Sequence, residues 1–239
     1  MAGKLAGRIA LITGASRGIG AAVALRFAAE GAHLVLVART VGGLEEVDDG
    51  VRAAGGSATL VPLDLADGPG IDRLASPLRE RFGRLDVLVG NAGELGGLSP
   101  VGHIAPERWD RAVAVNLTAN WRLIRSLDPL LRASPAGRAI FVTSGVTRGA
   151  FAYWGAYAAS KAGLEALVRT YAAEVNRTAM RVNLLDPGVV RTRMRAEAMP
   201  GEDPMTLPDP ASLGDAFVAL AEPACTRNGE VVFAAQVSA

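Results

Sequence analysis

The chain has 239 residues, half of them apolar, with 25 basic and 24 acidic side chains and a formal net charge of +1. That size and apolar content support a sizeable packed core and exclude a disordered chain, while balanced, scattered charge leaves no electrostatic footprint for nucleic acid or an anionic membrane. One cysteine, Cys225, and two distant histidines, His33 and His103, exclude an internal disulfide framework and argue against a metal site. No uncharged apolar run approaches the ~18 residues of a membrane-spanning helix, and no export-signal pattern is present, so a cytoplasmic protein with a small-molecule partner is expected.

Arg8 to Ile12 is a short β-branched run of the kind that forms a strand buried on both faces. Three glycines follow as Gly14-x-x-x-Gly18-x-Gly20, and then Val23, Leu25, Phe27 and Ala28 recur with helical spacing until Gly31 closes the segment. A helix start presents unpaired N–H groups and partial positive charge to the preceding loop, and glycines let a phosphate approach the backbone. Gly14, Ser16, Arg17, Gly18, Ile19 and Gly20 are therefore candidate cofactor contacts, although a glycine loop on its own is equally a structural turn.

The alternation then continues. His33 to Ala38 reads as a strand, Val41 to Ala54 as a helix, Ser57 to Leu63 as a strand, Ile71 to Phe82 as a helix and Leu85 to Val89 as the fourth strand. A long helix is expected from Pro106 to Leu131, a strand at Arg138 to Thr143, a helix at Gly155 to Asn176, a strand at Met180 to Leu185, a helix at Ala211 to Ala221 and a last strand at Glu230 to Ala234. Strands alternating with helices predict an α/β, Rossmann-type, doubly wound sheet of about seven mainly parallel strands covered on both faces. One domain over residues 1–239 is expected, with 187–210 as a substrate lid. Gly14, Arg39, Asp64, Asn91-Ala92-Gly93, Ser144 and Pro187-Gly188 each follow a predicted strand, at the edge where such sheets hold ligands.

Tyr157 and Lys161 stand one helical turn apart and share a face. A cation about 5 Å from a phenol, at an effective dielectric of about 20, favours the phenolate by roughly 3 kcal/mol, enough to bring it toward working range. The same pair also describes an amphipathic helix with a solvated lysine. Ser144, just past the fifth strand, can hydrogen-bond the same substrate oxygen or simply close a turn. Asn116 falls on the apolar stripe Trp109, Val113, Asn120, Leu123 and Leu127, where its amide needs a partner, either a water leading toward Lys161 or local backbone.

In order and spacing, Thr13-Gly14-x-x-x-Gly18-x-Gly20, Asp64, Asn91-Ala92-Gly93, Asn116, Ser144, Tyr157-x-x-x-Lys161 and Pro187-Gly188 resemble the short-chain dehydrogenase/reductase superfamily in its compact form, over almost the whole chain. The resemblance implies an NAD(P)(H)-dependent oxidoreductase interconverting a ketone or aldehyde and an alcohol, with a catalytic tetrad of Asn116, Ser144, Tyr157 and Lys161 and with Tyr157 as general acid or base. It also implies that Lys161 holds the nicotinamide ribose, Asp64 and Leu65 meet the adenine, Asn91, Ala92 and Gly93 lie by the ribose, and Pro187, Gly188, Val189 and Thr192 lie by the carboxamide. Gly90 stands where many relatives carry an asparagine, and Val231 to Gln236 lacks the family's frequent glycine pair.

Where an NAD-selective site places a carboxylate after the second strand, this chain has Arg39, and Arg17 lies within the glycine loop, with no carboxylate expected nearby. Two guanidinium groups suit a 2′-phosphate, so NADP(H) is the expected cofactor and NAD(H) the alternative. Phe151, Tyr153 and Trp154 are expected to wall a mainly apolar substrate pocket with Glu94 to Ser99, and Met194, Met199 and Met205 to form its lid. The smooth run Gly155, Ala156, Ala158, Ala159, Ala162 and Gly163 favours a homodimer or homotetramer. Two other readings remain: an NAD-dependent alcohol dehydrogenase, and a nucleotide-responsive binding protein without turnover.

Overall fold

The computed structural model describes residues 3–236; residues 1–2 and 237–239 of the expected domain lie outside the described residues. Seven strands, β1 Ile9–Thr13, β2 His33–Ala38, β3 Ser57–Pro62, β4 Val87–Gly90, β5 Arg138–Val142, β6 Arg181–Asp186 and β7 Val231–Phe233, form one sheet in the order β3-β2-β1-β4-β5-β6-β7. All six pairings are parallel. The helices are α1 Gly18–Ala29, α2 Val41–Ala53, α3 Gly68–Asp72, α4 Ala75–Phe82, α5 Pro106–Val113, α6 Ala119–Arg132, α7 Gly155–Glu174, α8 Arg193–Ala198 and α9 Gly214–Ala221.

Because successive strand residues point to opposite faces, each apolar strand feeds two cores at once. Ala10, Ile12, Leu34, Leu36, Val87, Val89 and Ile140 pack with Phe27 of α1, Leu44 of α2 and Phe217 of α9. Their neighbours Leu11, Val35, Val37, Leu88 and Phe141 pack with Leu78 of α4, Leu127 of α6 and Leu164 of α7. Continuous Val/Ile/Leu strands are the sequence image of this double burial.

From β1 the chain winds outward through β2 and β3, then returns and winds the other way from β4 to β7. The reversal between β1 and β4 leaves a crevice at the strands' carboxyl ends, where open α/β sheets bind ligands. At the opposite edge, buried charges serve the backbone: Arg138 donates to the carbonyls of Gly137, Ala179 and Pro223, and Asp86 accepts the Ile9 N–H at 2.9 Å.

Helix details differ from the sequence expectation in three places. The predicted helix Ile71 to Phe82 is broken into α3 and α4, and α3 starts earlier, because Asp67 Oδ1 caps the Gly70 N–H at 3.0 Å and Pro69 fits the first turn. The long helix from Pro106 forms, but a π turn at Ala114–Thr118 interrupts it and carries Asn116. Within the predicted lid loop, α8 forms behind Thr192, whose hydroxyl accepts the Arg195 N–H at 3.1 Å. No helix among the described residues is long and apolar enough to cross a membrane, and no His/Cys/Asp/Glu group there could hold a metal ion.

Candidate active site

The crevice encloses about 1030 Å³, and every catalytic or cofactor candidate named from the sequence lines it except Gly20 and Asn116, which lie directly behind it. Its floor is the turn from β1 into α1. Gly14 and Gly18 have left-handed φ of 65° and 57°, and a Cβ on Gly14 would sit 2.9 Å from Ala92 Cα. Thr13 and Asn91 lace this turn to the end of β4. Thr13 Oγ1 accepts the N–H groups of Asn91 and Ala92 at 3.0 and 3.1 Å, while Asn91 Nδ2 donates to the Thr13 carbonyl at 2.9 Å. The Asn91 amide nitrogen therefore shapes the glycine turn, rather than standing free for a ribose. A side-chain-free floor at the start of a twelve-residue helix fits a pyrophosphate.

At one end lie four charges that the sequence did not bring together. Arg111, on α5, donates to both carboxylate oxygens of Asp64 at 3.0 Å and to Glu94 Oε1 at 3.3 Å. Glu94 Oε1 also lies 3.3 Å from Arg39 Nη1. Burial works against a charged Asp64, but the Ala66 N–H and the Arg111 guanidinium outweigh it and hold the carboxyl below its ordinary value. Two expectations change here: Arg39 does have a carboxylate neighbour, and Glu94 turns toward Arg39 and Arg111 instead of opening the substrate wall. Loop residues four positions past a strand carry no sequence signal for such a turn. Arg17, within the glycine turn, is exposed and lines the crevice.

At the other end, β5 delivers Ser144 and α7 delivers Tyr157 and Lys161. Tyr157 is 8% exposed and Lys161 2% exposed. Lys161 Nζ donates to the Val142 carbonyl at 2.7 Å and stands 5.8 Å from the Tyr157 ring centroid. Burial pushes the Tyr157 phenol up to about 12; the Ser144 hydroxyl favours its ionised form and the Asp186 carboxylate opposes it. Burial alone brings Lys161 down to about 8. In the chain by itself burial sets the net direction for both groups, so the phenol lies above its ordinary value and the ammonium below its own. Asp186, a residue the sequence reading passed over, is paired with Arg148, whose guanidinium lies 4.7 Å from the Phe233 ring centroid.

Asn116 uses its amide on neighbours. Its Oδ1 accepts the Glu94 N–H at 2.8 Å, and Nδ2 donates to the Glu94 carbonyl at 2.8 Å and to Ser160 Oγ at 2.9 Å. These partners are distant in sequence, the backbone of the loop after β4 and a hydroxyl of α7, so the amide ties the two elements together. A Cβ on Gly93 would lie 3.4 Å from Asn116 Oδ1 and 3.8 Å from Lys161 Nζ, so both groups border the same bare glycine.

Phe151 and Trp154 line the crevice, and Trp154 meets Tyr157 edge-on with centroids 5.9 Å apart. Tyr153 does not join them: its φ is 75°, its carbonyl accepts the Ser99 N–H, and its side chain is 58% exposed. Met194 and Met199 line the crevice, whereas Met205 is 75% exposed outside it. Val189 is half exposed at the rim, and Thr192 spends its hydroxyl on the α8 cap. The smooth face of α7 is partly used within the chain, since Gly163 makes room for Leu117 and Gly155 for Ile104.

With a glycine turn after β1 and the buried pair Tyr157 and Lys161 beyond β5 on the same edge of a parallel sheet, the protein is of the Rossmann-type α/β class. The chain belongs to the short chain dehydrogenase family, whose model matches residues 8–203, and is an oxidoreductase acting on CH–OH groups. It is 36% identical over 232 residues to an uncharacterized oxidoreductase, YciK, of Escherichia coli (strain K12), covering 96% of this chain and 92% of that one. A short chain dehydrogenase from Shigella flexneri 2A str. 301, solved in complex with NADP, superposes with a TM-score of 0.94 at 35% identity, covering 98% of this chain and 100% of that one. An uncharacterized NAD-dependent oxidoreductase of Mycobacterium tuberculosis is 36% identical over 212 residues, or 82% of this chain and 77% of that protein.

Proposed function

We propose that this chain is an NADP(H)-dependent oxidoreductase that interconverts a mainly apolar ketone or aldehyde and its alcohol, with Tyr157 as general acid and base. One observation carries the reading: Ser144, Tyr157 and Lys161 converge at one end of a crevice whose floor is bare glycine turn and whose other end presents Arg17 and Arg39. When bound, the dinucleotide supplies or accepts the hydride. In reduction, Tyr157, protonated at neutral pH as an ordinary phenol is and kept so by burial, which raises its pKa to about 12, donates its proton to the carbonyl oxygen that Ser144 orients. Lys161 holds the ribose side of the site and, when charged, favours the phenolate left behind. Asn116 fixes the loop after β4, and the aromatic faces of Phe151 and Trp154 exclude water from the reacting carbonyl.

The 187–210 segment, with Met194 and Met199 facing the crevice, serves as the substrate lid of this single-domain enzyme. Exposed Ala159 and Ala162 of the smooth α7 run are the surface on which a second copy packs. The NADP-bound Shigella relative supports the cofactor assignment, while the Arg39–Glu94 pair and the NAD-dependent mycobacterial relative favour some NAD(H) use as a second reading.

The test is a panel of ketones, aldehydes and secondary alcohols offered with each cofactor and followed by nicotinamide absorbance. Turnover of apolar carbonyls, faster with NADPH than NADH, is expected; cofactor binding with no turnover of any of them would point to the nucleotide-responsive binder instead. Arg39→Ala should weaken NADPH about tenfold, the order expected for one charge-assisted contact at a half-exposed site, and change NADH by less than about twofold. Calorimetric titration of both cofactors measures it.

A further inference from the structure

The Arg39–Glu94 pair spans the crevice from one side to the other. Arg39 directly follows β2 and Glu94 lies beyond the end of β4, while β1 and its glycine turn run between those two strands. Any dinucleotide seated on the glycine turn therefore shares this edge with the ion pair. The placement is built: Asn116 clamps Glu94 through both its N–H and its carbonyl at 2.8 Å, and Arg111, itself fixed by two bonds to Asp64 at 3.0 Å, grips the same Glu94 oxygen at 3.3 Å. Arg39 is the loosest member, held by one contact at 3.3 Å with its side chain 49% exposed.

The four side chains sum to zero charge, two guanidinium groups against two carboxylates. Of the two guanidinium groups offered to a 2′-phosphate, exposed Arg17 attracts it as it stands, whereas Arg39 must first leave Glu94. A ribose 2′-hydroxyl carries no such charge and does not need Arg39 released. Resting on the NADP(H) reading above, we propose that Glu94 is a specificity-determining residue: by holding Arg39 across the crevice it opposes the 2′-phosphate and narrows the preference for NADP(H) over NAD(H).

The test is calorimetric binding of NADPH and NADH to wild type, Glu94→Gln, Arg39→Ala and the double variant. Glutamine keeps the shape and an acceptor oxygen for Arg111 while removing the charge. Glu94→Gln should tighten NADPH about three- to fivefold, the scale of one half-exposed charge pair, and change NADH by less than about twofold. In the Arg39→Ala background the same substitution should change NADPH by less than about twofold. Weaker or unchanged NADPH binding in Glu94→Gln, equal tightening of NADH, or a gain that survives without Arg39 would each overturn the proposal. If Arg39→Ala itself leaves NADPH affinity unaltered, the phosphate reading of Arg39 fails and this inference with it; a normal Arg39→Ala loss beside a silent Glu94→Gln sinks this inference alone.

Discussion

Tyr157→Phe is expected to lower kcat about a thousandfold while leaving NADPH affinity within about threefold and folding stability within about 1 kcal/mol. The phenol ring is buried against Trp154, and phenylalanine keeps that packing and loses only the hydroxyl that reaches Ser144. The two directions of wild-type turnover should also respond oppositely to pH. With the phenol at about 12, the fraction present as phenolate, the form that accepts a proton from an alcohol, rises about tenfold per pH unit through the neutral range, so oxidation accelerates with pH. Reduction uses the protonated phenol, which is abundant throughout, and is flat until Lys161 loses its own proton near 8, above which the rate falls. Tyr157→Phe should abolish the pH slope of oxidation along with the rate. A steady-state pH series in both directions with the best substrate of the panel reads all of this, and a variant retaining a tenth or more of wild-type kcat would remove Tyr157 from the mechanism.

The strands and the face shared by Tyr157 and Lys161 were legible in the sequence because their signals are local. Runs such as Leu34 to Val37 are apolar at every position, which only double burial in a parallel sheet explains, and Tyr157 and Lys161 sit one helical turn apart whatever else the chain does. What the sequence hid depends on pairs brought together by the sheet. Arg111 and Asp64 belong to different helix–strand units, and nothing near either residue announces that α5 lays one over the other. The same holds for Arg148 and Asp186, which join the segment after β5 to the end of β6. Desolvation is non-local as well: the spacing of Tyr157 and Lys161 fixes their attraction, but how deeply α7 buries them fixes the larger and opposite effect. Breaks within helices were missed for the reverse reason, since the π turn at Ala114–Thr118 keeps an apolar pattern that a regular helix would share.

Gly20→Ala tests the floor of the crevice, and one added methyl group should be enough to spoil it. Gly20 is helical and not left-handed, so alanine suits its backbone; what it lacks is room. A Cβ there would overlap the Gly14 carbonyl oxygen and lie 2.7 Å from Asn91 Nδ2, and those neighbours have little freedom to give. Gly14 is held at a φ of 65°, and Asn91 is tied to Thr13 by side chain and backbone together. The methyl group must therefore push the first turn of α1 away from the end of β1, dragging the N–H groups that face the pyrophosphate out of line. Overpacking of this kind costs about 1–3 kcal/mol of stability. A displacement near 1 Å at a positioning element costs on the order of 100-fold in turnover, and cofactor affinity should fall at least about thirtyfold. Gly42→Ala is the control. A Cβ at Gly42, inside α2, meets nothing within 4 Å, so alanine should raise stability by about 0.5–1 kcal/mol through helix propensity and leave cofactor binding unchanged. Thermal melting with and without NADPH separates the two substitutions: Gly20→Ala lowers the melting temperature and loses most of the ligand-induced shift, whereas Gly42→Ala raises it and keeps the shift whole. A full shift in Gly20→Ala would mean that the dinucleotide does not rest on this turn.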